Sequence, residues 1–146
     1  MKSKMVLQNG IFAYSTWHVY ENGSWKTYFA DGLGMDLDVY PRAAIVGAGR
    51  RLHIRLNKPQ RPEKFTIYAY PRLDQYGTPD FDEAQELRHT FRRVERDGKT
   101  VAWNVFFRVN RPDRHYYLEA FGTWKRVPGT HISYGDGAWF FHVKTR

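Results

Sequence analysis

Alternation through the last third of the chain constrains the fold more than any other feature. Tyr116, Leu118, Ala120 and Trp124 fall two or four residues apart, and Trp139, Phe141 and Val143 repeat the pattern after a polar connection. Successive side chains on a strand point to opposite faces, so each set shares one side of its strand. Two such strands in sequence make a β-hairpin with these residues on its inner face. The connection from Lys125 to Ala138 carries Pro128, Gly129, Gly135, Asp136 and Gly137, and it reads as turn rather than strand. The same alternation turns Tyr117, Phe121 and Phe140 to the other face, where an exposed sheet carries Lys, Glu or Thr. Aromatic residues gathered there form an apolar patch that needs a cover. Tyr117, Phe121 and Phe140 are therefore candidate binding residues, covered either by the aromatic first part of the chain or by a partner.

The rest of the chain extends the β pattern. Leu52, Ile54 and Leu56 alternate with Arg51, His53 and Arg55; Phe65, Ile67 and Ala69 form a second such run, ended by Pro71. Leu73 to Glu83 holds Asp74, Gly77, Pro79, Asp80 and Asp82 and reads as an exposed loop. Leu87 to Val94 reads as a strand, with a helical turn over Asp82 to Arg88 as the alternative opening. Asp97-Gly98 is a hairpin signal, and Val101, Trp103, Val105, Phe107 and Val109 alternate beyond it. In the first part, Phe12, Tyr14 and Thr16 alternate, Glu21-Asn22-Gly23-Ser24 is a turn, and Trp25 to Phe29 returns as the hairpin partner. Asp31-Gly32-Leu33-Gly34 breaks that pattern, and Tyr40-Pro41 opens an extended edge segment. With 146 residues and no internal repeat or linker, residues 1–146 make one domain, in which the aromatic segment 11–38 packs on or extends the rest. The expected fold is all-β, a single antiparallel sandwich of about seven to nine strands with Trp103, Tyr116, Leu118 and Phe141 in its core.

Trp103-Asn104-Val105, a proline-containing corner, Tyr116-Tyr117-Leu118-Glu119-Ala120, and Ser133-Tyr134 ahead of Phe141-His142-Val143 resemble the last three strands of immunoglobulin-like domains of bacterial surface proteins and lipoproteins. The resemblance spans roughly Arg50 to Val143. It implies an immunoglobulin-like sandwich in which Tyr116 is the corner tyrosine, bonding back to the turn before its strand. It also implies a spacer or binding module, without catalytic residues, at the cell surface or outside the cell. No signal peptide is visible, because the apolar run behind Lys2 and Lys4 is only Met5-Val6-Leu7.

Chemistry-bearing groups are sparse. The absence of cysteine removes disulfides, thiol catalysis and thiolate metal sites. Ala44-Ile45-Val46-Gly47-Ala48-Gly49 opens like a dinucleotide fingerprint, but Leu52 stands where a third glycine is needed, so a turn between strands is expected. His115 and His142 both alternate outward and approach on the terminal hairpin, yet bring no further ligand, and no metal or cofactor is expected. Asp31, Asp36 and Asp38, and the group Asp80, Asp82, Glu83 and Glu86, raise calcium binding and a carboxylate-based hydrolase as alternatives, though such residues ordinarily face water. A formal charge of +8 attracts anionic polymers. Nucleic acid is disfavoured, since familiar nucleic-acid signatures are missing, and no segment approaches a membrane span of about 20 apolar residues. The reading that follows is a non-catalytic module that binds a protein partner or self-assembles. Carbohydrate, stacked on Trp17, Tyr20, Trp25 or Tyr28, is the alternative.

Overall fold

A computed structural model describes residues 5–6, 11–21, 24–31, 43–125 and 132–146. The strands are β1 (Met5–Val6), β2 (Ile11–Glu21), β3 (Ser24–Asp31), β4 (Ala44–Val46), β5 (Arg51–Leu56), β6 (Lys64–Tyr70), β7 (Gln85–Glu86), β8 (Thr90–Arg96), β9 (Lys99–Arg108), β10 (His115–Lys125) and β11 (Ile132–Thr145). Three of them have only two or three residues, and the others fall within the expected number. A short 3-10 turn, Phe81–Glu83, interrupts the loop before β7.

The strands form two sheets. One is four-stranded, β1-β5-β9-β8; the other is seven-stranded, β3-β2-β11-β10-β6-β7, with β4 also on β11. An antiparallel-only sandwich is not what forms, because β1 runs parallel to β5 and β4 runs parallel to β11. The second parallel pair has a simple cause. β2 pairs with β11 only from Ile132 to Phe140, which leaves the edge at Val143–Thr145 for β4.

Between the sheets lies one apolar core. Leu52, Ile54 and Leu56 of β5, with Val105 and Phe107 of β9, face Phe65, Ile67 and Ala69 of β6, Leu118, Ala120 and Trp124 of β10, and Phe141 and Val143 of β11. Every second residue of β10 from Tyr116 to Trp124 is buried, as alternation requires. Trp103 is the exception to the expected core. It is half-buried at the rim, where its indole N–H donates to Pro59 O at 3.0 Å, while the buried indole of the core is Trp124, 2% exposed. Trp124 donates in turn to Gln60 O at 3.0 Å, so the β5–β6 loop satisfies both indoles.

The segment between β10 and β11 is shorter than expected: β11 already runs from Ile132, and Gly135, Asp136 and Gly137 are strand residues. Gly137 makes room rather than a turn. Gly122 and Gly137 face each other across the β10–β11 ladder. A Cβ on Gly122 would stand 2.9 Å from the Trp124 ring and 3.1 Å from Phe65; one on Gly137 would stand 2.9 Å from Trp139. Each indole folds back over the glycine two residues before it, and the two rings meet edge-to-face at 6.1 Å.

Elsewhere the local signals hold, with one shift of boundary. Asp97 (φ 52°) and Gly98 (φ 74°) both adopt the positive φ of a two-residue hairpin turn. The strand expected from Leu87 begins at Thr90, because Leu87 stays on the other sheet, buried, with its N–H on Ile67 O at 2.8 Å. Residues 87–89 are thus the crossover between sheets. After β4, Gly49 (φ 76°) makes the turn and β5 follows as a strand, so no helix faces a dinucleotide there. At the corner before β10, the Tyr116 hydroxyl accepts from Arg111 N at 3.0 Å. Asn22-Gly23, residues 32–42 and Pro128-Gly129, for which turns and an extended edge are expected, lie outside the described residues.

Candidate functional site

The outer face of the seven-stranded sheet can be written out from strand register. Across β6, β10 and β11 the successive rows are Tyr70–Tyr117–His142, Tyr68–Glu119–Phe140, Thr66–Phe121–Ala138 and Lys64–Thr123–Asp136. Tyr117, Phe121 and Phe140, the candidates from alternation, all stand on this face and are half-buried. Trp17 and Trp25 are placed by backbone register alone: Trp17 of β2 lies opposite Gly135 and Tyr28, and Trp25 of β3 lies opposite Tyr20. The structure therefore puts all five in one sheet, with the tryptophans on the two strands beyond β11. The aromatic first part extends this sheet edge to edge through β2 and β3.

Glu119 is the residue that the candidate set lacked. Its four nearest positions on the face are Tyr117 and Phe121 along β10, Tyr68 on β6 and Phe140 on β11. Nothing about a Glu in a strand pattern advertises this, since its cross-strand neighbours depend on which strands pair. The Tyr70 hydroxyl donates to its Oε2 at 3.4 Å. Desolvation among the rings holds the Glu119 carboxyl above the usual carboxylate range, and the bond from Tyr70 offsets this in part. Tyr70 is pushed up to about 12, by burial first and then by the neighbouring Glu119 charge. Its burial on an outer face comes from the loop: the Phe81 ring meets it edge-on at 5.8 Å.

At the end of the same face the expected histidine pair forms. His115 Nδ1 and His142 Nε2 are 2.8 Å apart, and Tyr117 stacks on His142 with ring centroids 4.3 Å apart. One ring donates and the other accepts, so the pair needs an unprotonated nitrogen. Among the described residues no three His, Asp or Glu side chains gather to hold a metal ion.

The acidic loop uses its carboxylates internally. Asp74 Oδ1 accepts from Tyr76 N at 2.8 Å and Thr78 N at 2.9 Å, Asp80 Oδ1 accepts from Asp82 N at 3.0 Å, and Arg72 pairs with Glu83. Tyr76 and Phe81 project from this loop, 68% and 66% exposed. Phe81 also lines a hollow of about 450 Å³, together with Asp74, Thr78, Asp80 and Asp82. No helix among the described residues is long and apolar enough to cross a membrane. Comparison with known protein families, with curated proteins and with solved structures finds no match.

Proposed function

We propose that this protein is a non-catalytic immunoglobulin-like module that binds another protein, a second copy of itself first among them, through the outer face of its seven-stranded sheet. The observation that carries this reading is Glu119, a desolvated carboxylate ringed by Tyr68, Tyr117, Phe121 and Phe140. A charge held among rings costs stability unless something pairs with it. A partner's lysine or arginine satisfies both elements at once, pairing with the carboxylate and lying against the rings. The chain has 23 Lys and Arg residues, so a second copy offers such side chains in number.

Strand order supports the immunoglobulin-like part. In that fold a sheet with strands B, E and D packs on one with C, F and G. Here β5-β9-β8 stand in the first order and β6-β10-β11 in the second, β4 lies parallel on the last strand, and Tyr116 bonds back to the corner. On this reading β2 and β3 are additions at the edge of the last strand.

The test is a backbone-amide NMR titration with acetyl-Gly-Arg-Gly-amide, and with its Glu counterpart as control. The reading predicts saturable shifts centred on residues 117–121 and 140 for the arginine peptide alone, lost in Glu119→Gln. Shifts indifferent to that substitution would sink it. A second reading, carbohydrate recognition, is favoured by Phe81, whose exposed ring lines a polar hollow suited to sugar hydroxyls. Phe81→Ala would then abolish binding that a soluble sugar saturates.

A further inference from the structure

At the pole of the sandwich that holds the β9–β10 corner, the strands bring like charges together. Arg51, the first residue of β5, stands directly opposite Arg108, the last of β9. Directly opposed like charges destabilise a ladder. The crossover between sheets adds Arg88 to the same place. All three line one cleft of about 630 Å³, together with His89, Thr90 and Asn110. Among the described residues no carboxylate forms an ion pair with any of the three arginines. Glu86, on the wall, is the one acidic lining residue among those described.

Two of these arginines are also held in place. The Arg51 guanidinium lies over the Phe106 ring at 4.5 Å from its centroid, and Arg108 Nη1 donates to Gly49 O at 2.6 Å. Fixing a guanidinium before a ligand arrives removes much of the ordering cost of binding. Thr90 and Asn110 add neutral hydrogen-bonding groups, and the volume falls in the range of metabolite sites. The geometry points to a binding site for a small, multiply charged oxyanion of metabolite size, its charged group set between Arg51, Arg88 and Arg108. This site is separate from the aromatic face and independent of the function proposed for it.

Isothermal calorimetry at constant ionic strength tests the assignment, with pyrophosphate and citrate as probes and chloride as the reference. Saturable one-to-one binding of at least one probe is expected, and the tighter probe tells phosphate from carboxylate chemistry. Arg88→Gln and Arg51→Gln should each weaken it by about tenfold or more, as loss of a charge-assisted bidentate contact does. Arg92→Gln, an exposed arginine of β8 outside the cleft, should leave it unchanged. Arg88 is exposed, so that variant decides the matter if Arg51→Gln fails to fold. Absence of saturable binding by either probe, or equal weakening in Arg92→Gln, would overturn the site, the latter by reducing it to general surface charge.

Discussion

A single carboxylate carries most of the argument at the residue scale, and its titration gives a prediction with a definite sign. Glu119 has its proton affinity raised by desolvation, so the native chain binds the proton more tightly than the unfolded chain does. As pH falls through the raised value toward the ordinary glutamate value of 4.5, native stability gains from this group; as pH rises again, the gain is lost. Tyr70 follows the same sign at the alkaline end, where stability should fall as pH climbs from 10 toward 12. Urea midpoints of wild type and Glu119→Gln should therefore differ most at pH 7, with the variant more stable, and converge in acid. A variant less stable than wild type at pH 7 would mean that the charged form is structurally required. That Glu119 shares a face with Tyr117 and Phe121 is legible from alternation alone. Its placement between Tyr68 and Phe140 is not, because register between distant strands depends on packing that no local pattern records.

At the scale of elements, signals that act within a few residues were readable, and those that act across the sheet were not. Asp97-Gly98 sets its own turn through two positive φ angles, and Pro71 ends β6 for lack of an N–H. Gly137 misleads, because a glycine that leaves space for Trp139 looks the same in sequence as one that turns the chain. Trp103 misled for a related reason: alternation marks the inner face but not how close to its rim a position lies. The immunoglobulin-like reading predicts where the fold's own boundary falls. β4 to β11 contain both sheets' central strands and the described core, whereas β2 and β3 pair only at the edge of β11. Residues 43–146 expressed alone should unfold cooperatively in denaturant and keep the near-ultraviolet dichroism of packed Trp124. A molten or aggregated product would show that the first two long strands are integral to the sandwich.

On the scale of the whole molecule, charge and aromatic surface are segregated. Arg55 and Arg92, outside the arginine cleft, belong to the four-stranded sheet, while the half-buried rings around Glu119 belong to the outer face of the other. A molecule with +8 formal charge that presents a desolvated carboxylate on one side and arginines on the other is complementary to itself. Solution mass by light scattering over a concentration series, for wild type and for Phe140→Glu, tests this most directly. Self-recognition through the aromatic face predicts an assembled wild type, dispersed to monomer by the new charge while the unfolding midpoint stays within about 3 °C, the shift expected for a change of about 1 kcal/mol in a chain of this length. A wild type that is monomeric at every concentration, with a Phe140→Glu variant that unfolds well below it, would contradict the proposal by showing that the rings serve the fold and not a partner.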